Sequence, residues 1–238
     1  MNAFTLPSDY GRVRTVASFA ELVATPLRDG VNALCWPRPL VGDFAEIVTQ
    51  LGAGDGEALM TLDAARLRAL RLSPDGRVAA EAMLADWELL RAHDLDPVLN
   101  CIYGYPRDVE AGPVATDVFS FHADSAPVES ATFLCTYHGP ASEGLRQEEA
   151  RKRVDDPATR AALLHEFGGA DGDEFRDYLH ELCYDLHYAP QPGAQPFSFG
   201  LGNLWRIAVE WPGSPVPPCI HRAPDTQPGD PARLLLIS

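Results

Sequence analysis

After Asp96-Pro97 the 238-residue chain changes character, and that change limits what it can fold into more than any other feature. From there its apolar residues come in short runs, PVLNCIYGYP, TDVFSFHAD, SATFLCTYHGP, NLWRIAVEW and ARLLLIS, each rich in β-branched or aromatic residues and closed by Pro, Gly, Asp or Ser. Such runs read as strands. Before that point FAELVATPL and DFAEIVTQL repeat apolar residues at three-to-four spacing behind a Ser or Asp suited to capping a helix. VNALCWPRP between them reads as a short strand stopped by prolines, and the glycines of LGAGDGEAL as a loop. From Leu62 to His93 two helices are expected, parted by the turn residues Ser73-Pro74-Asp75-Gly76. A charged stretch from about 142 to 188 (EEARKRV, ATRAALLHEF, EFRDYLHELCYDL) is helical in pattern and reads as an insertion between strands. The expectation is a single α+β domain, with an α-rich support over 1–96 and a β core over 97–238.

Composition excludes several classes of function. With 19 Lys and Arg against 34 Asp and Glu the formal net charge is −15, the wrong sign for nucleic acid or an anionic membrane surface. RQEEARKRVDD mixes both signs and reads as a solvated helix face. No run approaches the roughly 18 apolar residues of a membrane helix. The opening MNAFTLPSDYGRVRTV lacks the basic flank and apolar core of a signal peptide, so a cytoplasmic location is expected. Five scattered cysteines, Cys35, Cys101, Cys135, Cys183 and Cys219, form no C-x-x-C pair and read as reduced thiols. No full G-x-G-x-x-G and no G-x-S-x-G elbow is present.

One His-x-Asp occurs, His122-Ala123-Asp124, at the end of DVFSF, where strand alternation points both side chains to one face. Among seven histidines such a pair arises by chance roughly one time in three, so it needs a companion. Cys219-Ile220-His221-Arg222-Ala223-Pro224 supplies a second His at a strand end. Two imidazoles and one carboxylate on one face of a metal leave further coordination positions open, the facial triad of non-haem Fe(II) oxygenases. Arg233 lies 12 residues beyond His221, in the next strand, and a guanidinium can hold a carboxylate bidentately.

The order His122-x-Asp124, His221, Arg233 on short strands resembles the Fe(II)/2-oxoglutarate-dependent dioxygenase superfamily. More narrowly, FHAD, TYHGP (Thr136 to Pro140) and HRAP followed by ARLLLIS look like an uncharacterised bacterial family with FHxD, TYxGPGT and HRSP segments. The resemblance spans about Pro97 to Ser238, with weaker similarity near Gly30-Val31-Asn32 and Trp36; this chain departs from it at Ala141-Ser142, where Gly-Thr is usual, and in the long helical insertion. It implies a double-stranded β-helix, of jelly-roll or cupin-like form, with iron held by His122, Asp124 and His221 and 2-oxoglutarate oriented by Arg233. It further implies O2 and a small-molecule or amino-acid-like substrate, with hydroxylation the common outcome. A cupin-like metalloenzyme that needs no keto acid, and a binding module with a degenerate site, remain open beside it.

Other residues compete for roles. His138 in TYHGP is a rival third ligand, and Arg206 in LWRIAVEW a fallback clamp for the co-substrate. Tyr137, Trp205 and Arg222 are candidates for the substrate site, although Arg222 alternates to the face opposite His221. His165, His180 and His187 read as helix-face residues.

Overall fold

The computed structural model describes residues 9–108, 112–227 and 229–238, apart from the side chain of Asp55. Residues 1–8, on which the expectation of no signal peptide partly rests, lie outside the described residues. Two sheets form an α+β fold. The larger has seven strands in the spatial order β1 (Val13–Thr15), β2 (Ala33–Trp36), β11 (Leu204–Ala208), β6 (Ala131–His138), β13 (Arg233–Ile237), β4 (Val98–Ile102) and β3 (Leu59–Leu62). The smaller has six, β10 (Phe197–Ser198), β7 (Glu143–Leu145), β12 (Ile220–Arg222), β5 (Phe121–His122), β9 (His187–Pro190) and β8 (Ala150–Lys152). Among the strands of the described residues β1 and β2 pair in parallel and the other strand pairings are antiparallel, with isolated parallel bridges at Ser125–Glu210 and Thr136–Leu201. Strands β4, β5, β6 and β7 go alternately to the larger and the smaller sheet, and β10, β11, β12 and β13 alternate from the smaller.

Four helices, α1 (Phe19–Ala24), α2 (Phe44–Leu51), α3 (Ala64–Ala69) and α4 (Pro74–Arg91), begin at Ser or Asp caps. The Ser73-Pro74 break is the start of α4: Ser73 Oγ accepts from the Gly76 N–H, and Pro74 takes the first helical position, where a missing N–H costs nothing. The strands of the larger sheet are apolar on both faces because both are covered. Phe133, Cys135, Tyr137, Leu204, Leu234 and Leu236 pack with Leu22, Ile47, Met83 and Leu90 from the helices. Alternate residues Leu134, Trp205, Ile207 and Leu235 pack with Phe197, Phe199 and Cys219 of the smaller-sheet region.

A buried ion pair ties helix layer to sheet. Arg38, just past β2, meets both carboxylate oxygens of Asp86 on α4 at 2.5 Å, and the Tyr137 hydroxyl donates to the same carboxylate at 2.7 Å. The Arg38 Nε–H donates to the Gly202 carbonyl at 2.8 Å, and the guanidinium lies 4.6 Å over the Trp36 ring.

The structure corrects the single helical insertion over 142–188. Helix is confined to α5 (Pro157–Phe167), α6 (Asp173–Glu181) and short 3-10 turns, and the ends of the segment are the strands β7, β8 and β9. The reason is tertiary. A Cβ at Gly144 would lie 2.4 Å from the Phe197 ring, so the glycine in β7 is what lets that ring close over the sheet. Likewise LGAGDGEAL is a loop only up to Ala58, and β3 follows on the edge of the larger sheet. No helix among the described residues is long and apolar enough to cross a membrane.

Candidate metal centre

Strand β5 is two residues long, and alternation splits them: Phe121 joins a small apolar cluster with Ala123, Leu145, Tyr188 and Ile220, while His122 takes the other face. In register His122 is opposite His221 of β12 on one side and His187 of β9 on the other. The His122 and His221 rings are 4.6 Å apart, centroid to centroid, and His122 and His187 are 5.8 Å apart. Asp124, two residues on, shares the face of His122. It is placed by backbone bonds on either side: Ala123 N–H donates to Leu186 at 2.9 Å, and Glu210 N–H donates to the Asp124 carbonyl at 2.7 Å.

His122 Nε2 is 4.0 Å from Asp124 Oδ1, and His221 Nε2 is 3.8 Å from Oδ2. One donor atom from each of His122, Asp124 and His221 lies within 4.8 Å of the others, the one such group among the described residues. Both imidazoles are oriented in the same way, by the carbonyl two residues back: His122 Nδ1 to Ser120 at 2.8 Å, His221 Nδ1 to Cys219 at 3.3 Å. Because the carbonyl accepts, Nδ1 carries the proton and the Nε2 lone pair is left to a metal. Thr132 on β6 donates its hydroxyl to Asp124 Oδ2 at 2.5 Å. Bonds of about 2.1 Å to a shared ion bring donor atoms to roughly 3–3.5 Å of each other, so the group fits a metal after movements below about 1 Å.

Electrostatics agree with ligands that hold no competing proton. Burial, then the neighbouring His221, pushes His122 down to about 4. Burial raises Asp124, but the two histidines and the Thr132 hydrogen bond outweigh it and leave the carboxyl below its ordinary value. His187 is also lowered, first by burial; its Nδ1 donates to the Cys183 carbonyl at 2.9 Å.

Arg233 stands in the larger sheet, on the side of β13 shared with Leu235, and is 3% exposed. Its Nε–H donates to the Pro140 carbonyl at 2.7 Å and its Nη2 to Ser142 Oγ at 3.1 Å, and Tyr105 adds a hydrogen bond. Gly139, at φ +78°, makes the close turn possible: a Cβ there would sit 2.8 Å from the Ala232 carbonyl. Arg233 has no carboxylate partner among the described residues. A buried guanidinium surrounded only by neutral acceptors is a site that favours an incoming anion.

The other candidates separate. Tyr137 faces the helices and is spent on Asp86, so it is turned away from the triad. Arg222 is also turned away, stacked 4.5 Å over Phe121 and paired with Glu143 at 2.7 Å. Trp205 is on the inner side, 1% exposed and stacked at 4.3 Å on Phe199, whose ring lies 6.5 Å from that of His221. Arg206 is drawn to the end of α1, where its Nη1 donates to the carbonyls of Leu22, Val23 and Thr25. His138 ends β6 and is outside the ligand group. His180 sits on α6 beside Asp185 and His165 on α5. His187 corrects the helix-face reading, since HYAP is a strand; its alternation and terminal proline were the available signal.

Set against family models, curated proteins and solved structures, the chain matches none.

Proposed function

We propose that this chain is a non-haem Fe(II) oxygenase that uses 2-oxoglutarate as co-substrate, built on a double-stranded β-helix. The observation that carries the reading is the convergence of His122, Asp124 and His221 on one point, both imidazoles presenting Nε2. The alternation of β4 to β7 and β10 to β13 between two sheets supports the fold, because a double-stranded β-helix is wound in that way.

His122, Asp124 and His221 would hold the iron, with Thr132 and the Ser120 and Cys219 carbonyls fixing their directions. Ferrous iron held there would supply oxidative chemistry that couples decarboxylation of 2-oxoglutarate to succinate with hydroxylation of a substrate C–H, one oxygen atom of O2 going to each. Arg233 binds the distal carboxylate of the keto acid; Pro140, Ser142 and Tyr105 hold the guanidinium so that little freedom is lost when the anion arrives. Trp205 and Phe199 line the inner side with apolar surface and exclude water from the neighbourhood of His221. The substrate expected is a small molecule.

The test is an anaerobic titration of metal-free protein with Fe(II) and then 2-oxoglutarate, followed by visible absorption. A weak charge-transfer band that needs both additions supports the reading. Stoichiometric iron without a band would replace it with a metalloenzyme independent of keto acids, and no iron binding would replace it with a binding module.

A further inference from the structure

The smaller sheet has a second face, which carries none of the three candidate metal ligands. A cavity of about 350 Å³ opens there, lined among others by Arg107, Arg153, Arg222, Asp117, Phe119 and Phe121. Phe121 lines it while the next residue, His122, points to the opposite side of the strand. In a chain of net charge −15, three guanidiniums around one cavity call for an explanation.

Two of the three are held in place and partly neutralised. Arg107 lies 4.1 Å over the Phe119 ring and pairs with Asp225 at 2.5 Å; Arg222 lies 4.5 Å over the Phe121 ring and pairs with Glu143. Asp117 is occupied by the chain itself, accepting from the backbone N–H groups of Asp108, Phe119 and Ser120. Arg153 is different. Among the described residues its guanidinium has no ion pair, and its buried Nε has no hydrogen-bond partner. A guanidinium is not neutralised by losing a proton, so its charge, and the terminal nitrogens that are not closed off as Nε is, are left for an acceptor brought from outside.

We propose that this cavity is a binding site for a small ligand with an oxyanion head, a carboxylate or a phosphate group, received by Arg153 and flanked by Arg107 and Arg222. The volume is at the lower end of the roughly 300–1,000 Å³ of small-molecule sites, which suits a metabolite-sized anion and not a polymer. Planar guanidiniums already stacked on rings lose little freedom on binding, and each keeps donors beyond those it uses. The site is separate from the proposed iron centre and needs no metal.

Isothermal titration of the metal-free full chain with inorganic phosphate and, separately, with citrate at low ionic strength tests this. Binding of either by the native protein is expected, the tighter one showing whether the natural head group is phosphoryl or carboxylate. Arg153→Leu and Arg153→Gln are each expected to weaken that binding about tenfold or more, while Arg14→Leu, on the exposed edge strand β1, leaves it within about twofold. Two variants of different polarity guard against loss of folding in one, and thermal melts identify it. Native protein that binds neither anion at millimolar concentration, or Arg153 variants that bind as tightly as native, would overturn the proposal.

Discussion

Thr132 on the larger sheet donates its hydroxyl to Asp124 Oδ2 at 2.5 Å, so the carboxylate of the candidate metal centre, just past β5 of the smaller sheet, is oriented from the other sheet. An acceptor oxygen held in this way keeps its direction when the metal is absent. Thr132→Val preserves shape and removes the donor. Metal affinity is expected to fall about 10–100-fold, against complete loss in His122→Ala. Competition against a metallochromic chelator measures both, and a Thr132→Val affinity equal to native would refute the orienting role.

Arg233 and the metal ligands are expected to separate cleanly by function. In Arg233→Met, metal stoichiometry stays at the native value and affinity for 2-oxoglutarate falls roughly 10–100-fold, the worth of hydrogen bonds to a charged partner. Equilibrium titration of the metal-loaded variant reads this, and unaltered keto-acid affinity would argue against Arg233 as the clamp.

Arg206 gives the contrasting result. Its donation to three carbonyls at the end of α1 makes it structural, so Arg206→Met should cost about 1–3 kcal/mol and leave 2-oxoglutarate affinity as it was. Urea unfolding monitors the first quantity and titration the second.

The Arg38–Asp86 pair is a buried lock between helices and sheet. Asp86→Ala leaves a buried guanidinium without its carboxylate and is expected to cost about 3–5 kcal/mol. Tyr137→Phe removes one hydrogen bond of the same group and should cost about 1 kcal/mol, with no change in metal affinity. A Tyr137→Phe protein of native stability would show that the hydroxyl contributes nothing to the lock.

Stability of the metal-free protein should depend on pH through His122. Held at about 4 in the folded chain, this imidazole takes up its proton near 6.5 when unfolded. The unfolded chain therefore binds the proton first, and the contribution of His122 is complete above about pH 6.5 and is lost as pH falls toward 4. His138 and His187, lowered in the same direction, add to the slope. Thermal midpoints between pH 7 and 4 are expected to fall less steeply in His122→Asn than in native protein, and equal slopes would contradict the assignment.

The site was legible where chemistry and short-range geometry coincide. His-x-Asp on a strand end places two ligands on one face by alternation alone, and Arg222 beside His221 is sent to the other face by the same rule. His187 was harder to read, because the residues before it carry the charge and spacing of a helix and outweigh the short alternation and terminal proline of HYAP, which pairing with β5 makes a strand. The roles of Tyr137 and Arg206 were equally hidden: each is decided by a partner far away in sequence, Asp86 on α4 and the last carbonyls of α1.

By itself the sequence determined the starts of α1 to α4, through Ser and Asp caps that act within four residues, the main strands, through alternation and their terminating prolines and glycines, and the pairing of His122 with Asp124 on one face. Tertiary structure alone decided that β7, β8 and β9 are strands inside a charged segment, that His221 stands opposite His122 with ring centroids 4.6 Å apart, and that a guanidinium 109 residues beyond Asp124 is buried without a counter-ion among the described residues. Local rules are set by backbone bonds between near neighbours. Sheet register, ring packing over Gly144 and the desolvation of Arg233 depend on atoms that meet only once the two sheets have closed.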